Sequence, residues 1–166
     1  MMEIKEVKDT ASAVKAARLA DRIWHEHYAG ILDGAQIDYM LEKFQSVKAI
    51  EAQMREGMQY YLVRDDGMCV GYFAIEPQGK RMFVSKLYLI KEARGHGFGR
   101  SCVRFIEEQA ADRGLKALRL TVNKHNADSI AVYEKLGFTA AGKGAADIGG
   151  GYVMDDYYME KPVDIR

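Results

Sequence analysis

The sequence has little of several features that would define other classes of protein. Its 166 residues contain two cysteines, Cys69 and Cys102, and two prolines, and 24 basic residues balance 24 acidic ones. Two cysteines are too few for a disulfide-stabilised scaffold and favour a reducing compartment. The scarcity of proline excludes a collagen-like or proline-rich chain. A formal net charge of zero argues against nucleic acid as the main partner, because phosphate-backbone binding needs a basic excess.

Long hydrophobic runs are also missing. No apolar stretch approaches the roughly 20 residues that a membrane helix needs, and the first six residues lack the apolar core of a signal peptide. No repeat, low-complexity tract or linker divides the chain. With 48% hydrophobic residues, the sequence can form a full core. We therefore expect a single cytoplasmic domain over residues 1–166 that does not bind a membrane.

Hydrophobic periodicity predicts helices in the first third of the chain and strands in the middle. Thr10 is the expected cap of a first helix that runs to about Tyr28, and residues 37–44 place apolar side chains on one helical stripe. Residues 65–67, Asp-Asp-Gly, predict a hairpin turn between two strands rich in strand-forming residues, and residues 76–79 predict a second turn. Ser46 is expected to cap another helical segment. Residues 118, 120 and 122 alternate as a buried strand face, and residues 149–151, Gly-Gly-Gly, predict a turn between the last two strands. The later order of strand, helix, strand, helix, strand, strand predicts a mixed α+β fold, with helices covering the sheet.

The most informative segment is a glycine-rich loop between a predicted strand and a predicted helix. The strand ends in Leu87-Tyr88-Leu89-Ile90, and the loop reads Arg94-Gly95-His96-Gly97-Phe98-Gly99-Arg100. The first amides of a helix have no internal acceptor and carry partial positive charge. Glycines let a bulky anion approach these amides, and the basic side chains add charge. The loop therefore predicts a pyrophosphate site, the alternative being a turn that uses glycine for steric reasons alone.

Two common phosphate-binding motifs do not fit this loop. The Walker A motif needs a Gly-Lys-Ser/Thr sequence that is absent here. The dinucleotide-binding Gly-x-Gly-x-x-Gly motif fails because Phe98, Arg100 and Cys102 occupy the positions where its further glycine would fall. The loop instead has the pattern Arg94-x-x-Gly97-x-Gly99. This pattern resembles the acyl-CoA pyrophosphate loop of the GNAT superfamily of N-acetyltransferases.

Two later segments extend the resemblance. Residues 123–138, Asn-Lys-His-Asn-Ala-Asp-Ser-Ile-Ala-Val-Tyr-Glu-Lys-Leu-Gly-Phe, are similar to the superfamily stretch in which a strand ends in Asn and a short helix closes with Gly-Phe. Residues 156–161 are similar to its last strand. The resemblance implies an approximately seven-stranded, mostly antiparallel mixed sheet that splays between strands 4 and 5. It also implies acetyl-CoA as co-substrate and no metal.

The resemblance also assigns roles to individual residues. The pantetheine arm of acyl-CoA would pair with the backbone of Leu87 and Leu89, and an amide near Leu87 or Tyr88 would face the thioester oxygen. Residues 94–100 would hold the pyrophosphate, and Asn126 and Lys135 would contact pantetheine or the adenosine side. The cofactor-binding set is therefore Leu87, Tyr88, Leu89, Arg94, Gly95, His96, Gly97, Phe98, Gly99, Arg100, Asn126 and Lys135.

Tyr133 is the predicted catalytic residue. Its phenol would protonate the departing CoA thiolate, a transfer that is uphill by only one or two pK units. Taken alone, Tyr133 would be read as an aromatic core residue. The general base is left open among Glu76, Asp155 and a water chain. The stretch 82–86 has no carboxylate, which argues against a histone-type acceptor mechanism.

Residues for the acceptor are less defined. Trp24, His27 and Tyr28 close the first predicted helix, where GNAT enzymes build an acceptor wall, although a helix end that exposes its histidines is the alternative. Asp155 lies among tyrosines of the last strand and would suit a cationic amine; packing or the edge of a homodimer is an equal alternative.

The predicted activity is direct acetyl transfer from acetyl-CoA to a primary amine of a small molecule or protein, in a ternary complex. The alternatives are a diamine or polyamine acetyltransferase, a non-catalytic acyl-CoA sensor and a protein-interaction module.

Overall fold

The computed structural model describes residues 1–163, including all their side chains except those of 145–147 and 154. Strands and helices follow the predicted order. They are β1 (Met2–Glu6), α1 (Thr10–His27), α2 (Gly34–Gln45), α3 (Val47–Arg55), β2 (Gln59–Asp65), β3 (Met68–Gln78), β4 (Arg81–Leu89), a 3₁₀ turn (Lys91–Ala93), α4 (Phe98–Asp112), β5 (Ala117–Asn123), α5 (Ala127–Lys135), β6 (Thr139–Gly149) and β7 (Tyr152–Pro162).

The strands form one seven-stranded sheet in the order β1-β2-β3-β4-β5-β7-β6. Strands β4 and β5 pair in parallel, whereas β1 with β2, β2 with β3, β5 with β7 and β6 with β7 are antiparallel. The β4–β5 register covers Arg81–Val84 and Ala117–Leu120, while β5 continues alongside β7 to Asn123. The mixed α/β fold class and the sheet expected from the resemblance are confirmed.

The chain divides into two compact units. Unit 1 contains Met1–Glu76 and Lys86–Gly99, and unit 2 contains Pro77–Ser85 and Arg100–Arg166.

In unit 1, the helices begin at side-chain caps. Asp9, not Thr10, caps α1, because its carboxylate accepts the backbone N–H of Ser12 at 2.8 Å in a capping box. The expectation that Thr10 is the cap was therefore wrong by one residue. Ser46 caps α3 by accepting from the Ala49 amide at 3.2 Å, as its position before an apolar stripe predicts.

The core of unit 1 lies between these helices and strands β2 and β3. Consecutive residues of both strands are buried, so both faces of these strands are covered; Tyr60, Tyr72 and Phe73 are completely buried. The predicted hairpin turn is present, with Asp66 and Gly67 at φ of 50° and 82°, the left-handed values that such a two-residue turn requires.

In unit 2, strand β5 shows the predicted alternation of buried and partly exposed residues. Leu118, Leu120 and Val122 are buried, and the residues between them are partly exposed. Helix α4 buries Cys102, Val103, Ile106 and Ala110, and it ends two residues before Gly114, which has a φ of 70°. Strands β6 and β7 are joined through Gly150 and Gly151, as the glycine run predicts.

No helix in the described part of the chain is both long and apolar enough to cross a membrane.

Candidate active site

The glycine loop of unit 1 has an open backbone. Gly95 and Gly97 adopt φ values of 79° and 82°, a region that residues with a Cβ rarely enter. A Cβ built on either glycine would meet no described heavy atom within 4 Å, and both residues are exposed. Helix α4 begins directly after them at Phe98. The loop therefore presents main-chain groups to solvent at the positive end of a fifteen-residue helix, a geometry suited to a phosphate group.

Basic side chains flank this loop. Arg94 and His96 are exposed, and the His96 ring lies 5.9 Å from that of Phe98. Arg94 also folds back on the preceding strand, since its Nε donates to the carbonyl of Leu89 at 3.2 Å. The guanidinium therefore links the end of β4 to the start of the loop.

The end of β4 lies tightly against β3. A Cβ on Gly71 would overlap the carbonyl oxygen of Tyr88 and lie 2.7 Å from Cδ2 and 3.2 Å from Cα of Leu89. The amide of Ile90 donates to the carbonyl of Val70 at 2.8 Å. Gly71 is therefore the residue that allows this close approach, at the segment predicted to bind the pantetheine arm.

An aromatic cluster forms where α1 ends. The rings of Trp24 and His27 lie 5.8 Å and 5.4 Å from the ring of Tyr88, and the hydroxyls of Tyr28 and Tyr88 are 3.2 Å apart. An ion pair between Arg22 and Glu92 adds a second link between α1 and the 3₁₀ turn. The predicted acceptor residues Trp24, His27 and Tyr28 thus contact Tyr88 from the cofactor set.

His27 does not have the exposure that a solvent-facing helix end would give it. It is half-buried, and its ring packs edge-on against Tyr28 at 5.1 Å. Burial, with a smaller contribution from the positive charge of Arg94, lowers the pKa of His27 to about 4. The imidazole is therefore neutral near pH 7. His25, in contrast, is exposed, and its ring contacts the Asp38 carboxylate at 2.8 Å.

A buried chain of hydrogen bonds crosses unit 1. Trp24 Nε1 donates to the Tyr72 hydroxyl at 2.8 Å, and that hydroxyl donates to Gln45 Oε1 at 2.7 Å. Gln45 Nε2 donates to the Tyr60 hydroxyl at 3.0 Å, which donates to Gln53 Oε1 at 2.6 Å. Each polar group in this chain is hydrogen-bonded to the next, so the core accommodates these polar atoms.

Lys86, on β4, ends this chain. Its Nζ lies 3.5 Å from Gln53 Oε1 and 5.6 Å from the centre of the Tyr60 ring. Burial lowers the pKa of Lys86 to about 8, although the charge of Glu76 acts in the opposite direction. Sequence reasoning missed Lys86 and the hydrogen-bond chain, because their members lie on six different elements between residues 24 and 86.

The predicted catalytic residue, Tyr133, lies on α5 in unit 2. Its side chain is half-buried, and its ring packs edge-on against the buried Phe138 at 5.8 Å. None of the residues of α5 is buried, so Tyr133 lies on a helix with accessible faces. Asn126 caps this helix by accepting from the Ser129 amide at 3.2 Å, and Lys135 is exposed in its last turn.

The two neighbouring aspartates of β7 differ in their surroundings. Asp155 forms an ion pair with Lys124. The Asp156 Oδ1 atom is buried and has no hydrogen-bond partner among the described residues. Burial, and then the charge of Asp155, raises the pKa of Asp156 to about 6. Sequence reasoning weighed the acidic and aromatic residues of this strand together and selected Asp155 rather than Asp156, since the pairing with Lys124 is visible only in three dimensions.

The described residues hold no group of three or more His, Cys, Asp or Glu that could bind a metal ion. Cys69 and Cys102 are both free thiols, and burial raises the pKa of Cys102 to about 12. A thiol with such a pKa is almost entirely protonated near neutral pH, so Cys102 does not suit a nucleophile.

Known proteins resemble this chain over most of its length. Residues 18–138 match the sequence model described as the acetyltransferase (GNAT) family. An IAA acetyltransferase of Azospirillum brasilense is 29% identical over 142 residues, which are 83% of this chain and 85% of that protein. The crystal structure of the PaiA N-acetyltransferase from Thermoplasma acidophilum, in complex with coenzyme A, is 20% identical. It has a TM-score of 0.79, covering 98% of this chain and 99% of that one. The crystal structure of nourseothricin acetyltransferase is 29% identical with a TM-score of 0.60, over 66% of this chain and 68% of that one.

Proposed function

Because the chain belongs to the GNAT family of acetyltransferases, we propose that it transfers the acetyl group of acetyl-CoA directly to a primary amine. The class of enzyme, an acyltransferase with acetyl-CoA as co-substrate, follows from the family. The amine, the roles of individual residues and a cytoplasmic location are proposals. The location rests on the two free cysteines, which favour a reducing compartment.

The observation that supports acyl-CoA binding best is the open loop at the start of α4. Gly95 and Gly97 leave the space that phosphoryl oxygens need, and no described atom occupies the position of a Cβ there. Arg94, His96 and Arg100 are exposed beside it. The residues present therefore fit a pyrophosphate, and Gly95–Arg100 would bind it through backbone amides and positive charge.

The end of β4 would orient the acyl group. Backbone groups of Leu87 and Leu89 would pair with the amides of the pantetheine arm, as an added strand does. A backbone amide at Leu87 or Tyr88 would donate to the thioester oxygen as negative charge develops on it. Arg94, bonded to the Leu89 carbonyl, would position this strand end relative to the phosphate loop. Asn126 and Lys135 would contact pantetheine or the adenosine side.

Tyr133 would supply the proton for the departing thiolate. Its half-buried position on an otherwise accessible helix is compatible with this role. The acceptor amine attacks the carbonyl carbon and gives up one proton to water or to the unassigned general base. The C–S bond breaks, and the Tyr133 hydroxyl protonates the sulfur and then regains a proton from solvent. No cysteine is needed as an acyl carrier, so we expect no labelled acyl-protein to accumulate without acceptor.

The aromatic cluster of unit 1 would form one wall of the acceptor site. Tyr88 is partly exposed and is supported by the buried rings of Trp24 and Tyr28, and His27 is half-buried and neutral near pH 7. These groups favour an acceptor with an apolar portion next to its amine.

A two-stage experiment tests the proposed function. Calorimetry with acetyl-CoA should detect binding, and a panel of primary amines should then release free CoA thiol, with an acetylated product seen by mass spectrometry. Binding without transfer to any amine, peptide or protein would favour the non-catalytic sensor. Absence of binding would contradict the role of the loop and would favour the alternative that the chain is a protein-interaction module.

A further inference from the structure

One face of strands β5, β7 and β6 in unit 2 carries a polar cluster that the roles above do not use. In an antiparallel pair, residues directly opposite each other point to the same face. Asp156 lies opposite Asn123 of β5 and Gly144 of β6, and Tyr158 lies opposite Thr121 and Gly142. The side chains of Asp156 and Tyr158 therefore share one face.

The tyrosine extends towards the aspartate along this face. A Cβ built on Gly144 would lie 3.5 Å from the Tyr158 hydroxyl and 3.4 Å from its Cε2 atom, although Gly142 is the residue opposite Tyr158. The ring thus leans over Gly144, which is the residue opposite Asp156. The guanidinium of Arg119 stacks over the ring at 4.5 Å from its centre.

The glycines keep this surface free of other side chains. Gly142 and Gly144 occupy the two β6 positions opposite Tyr158 and Asp156, so strand β6 adds only backbone there. Asp156 and Tyr158 therefore project from one face of the sheet, beside a strand that carries no side chain at the two facing positions.

The carboxyl group of Asp156 is not neutralised by its surroundings. Its Oδ1 atom is buried and lacks a partner among the described residues, and a buried acceptor without a donor is unfavourable. Its immediate neighbour Asp155 is already paired with Lys124. Further along the strand, Glu160 pairs with Arg81 and Arg119. Asn123 uses its Oδ1 to accept the His125 amide at 2.9 Å. The group that Asp156 lacks is a donor, preferably one with positive charge.

We propose that Asp156 and Tyr158 bind a second, protonated amino group of the acceptor, not the amine that reacts, so that this enzyme selects cationic amines over amines that also carry a carboxylate. This inference rests on the proposed acetyl transfer. The Asp156 carboxylate supplies the charge and accepts the ammonium hydrogens, while Tyr158 offers its hydroxyl oxygen. Asp155, by contrast, is occupied by Lys124.

The test compares two probes of equal chain length, 1,4-diaminobutane and 4-aminobutanoate, at saturating acetyl-CoA. The wild-type enzyme should acetylate the diamine with a kcat/KM about tenfold or more above that for the amino acid. Asp156→Asn should raise the KM for the diamine by about tenfold or more, the size expected for a lost hydrogen bond to a charged group. Its kcat and its KM for acetyl-CoA should change little, and Asp156→Glu should recover much of the affinity.

The pH dependence gives a second readout that a purely structural role would not produce. Because the pKa of Asp156 is raised to about 6, the wild-type KM for the diamine should increase as the pH falls below 6, and in Asp156→Asn this increase should be absent. Asp155→Asn removes the neighbouring negative charge that raises this pKa, so it should move the transition to lower pH. Asp112→Asn, an exposed carboxyl at the end of α4, serves as the charge-matched control and should behave as wild type.

Three results would overturn the inference. They are equal or better use of 4-aminobutanoate, failure to acetylate the diamine while acetyl-CoA still binds, or an unchanged KM in Asp156→Asn. If acetyl-CoA itself does not bind to the wild-type protein, the proposed function fails instead, so the two failures are distinguishable.

Discussion

Substituting Gly71 by alanine places a methyl group against the strand end predicted to bind pantetheine. The new Cβ would lie 2.7 Å from Leu89 Cδ2 and would overlap the Tyr88 carbonyl oxygen. Ordinary carbon contacts begin near 3.5 Å, so the contact with Cδ2 is too short by about 0.8 Å, and the overlap with the carbonyl oxygen is of similar size. The Leu89 side chain can rotate, but the carbonyl belongs to the backbone, so β4 itself must shift.

The magnitude follows from this overlap. Overpacking of this kind costs about 1–3 kcal/mol, which for a domain of this size lowers Tm by about 2–12 °C. A displacement of close to 1 Å near reacting groups can reduce the rate by about a hundredfold. We therefore expect Gly71→Ala to lose both stability and kcat/KM for acetyl-CoA, with the loss of activity exceeding what partial unfolding explains at 25 °C.

The assay combines thermal denaturation, calorimetry with acetyl-CoA and thiol release. The control is Gly34→Ala at the start of α2, where a Cβ meets no described atom within 4 Å and alanine favours the helix. That variant should be as stable as the wild type or slightly more stable. If Gly71→Ala shifts Tm by less than about 1 °C and keeps its affinity for acetyl-CoA, the argument from close approach is refuted.

Three further variants test separate parts of the site. Tyr133→Phe should lower kcat by about 10²–10⁴-fold, as loss of a general acid does, while calorimetry shows unchanged acetyl-CoA affinity; a wild-type kcat would refute its role. For His27→Phe, the free energy of unfolding measured in urea should fall less steeply between pH 6.5 and 4 than it does for the wild type. Its folded-state pKa of about 4 lies below the unfolded value of 6.5, so only the unfolded state gains a proton in that window; an unchanged slope would count against the burial of a neutral imidazole. Lys86→Met should raise the free energy of unfolding at pH 7 by about 1–3 kcal/mol, because the wild type holds a desolvated ammonium there. This advantage should fade between pH 8 and 10.5, where the folded wild type has lost the proton that its unfolded state keeps; an advantage independent of pH would show that packing, not charge, is responsible.

Local patterns predicted the elements of the fold better than their ends. The hairpin at Asp66 and Gly67 and the cap at Ser46 were found because a turn or a cap depends on residues within three or four positions. Asp9 was missed as the cap of α1, since Thr10 is an equally acceptable residue for that role and only the backbone geometry selects between them. Strand β3 runs to Gln78, past the turn expected at residues 76–79, because pairing within the sheet extends a strand beyond its local preference.

The candidate site divides in a similar way. The glycine loop and Tyr133 were placed from the sequence, since the chemistry of each is carried by a short contiguous segment. The roles of both remain predictions that the variants above would test. Lys86, Gly71 and Asp156 were not selected, because each is distinguished only by a contact with a residue distant in the chain.

By itself, the sequence determined the order of helices and strands, the open glycine loop and the enzyme family, because these depend on residues that are neighbours along the chain. The tertiary structure alone decided that Asp155 is paired while Asp156 retains a buried, unpartnered oxygen, and that His27 is neutral near pH 7. The reason is that burial and charge pairing depend on distances through space, and these distances exist only once the strands and helices have packed.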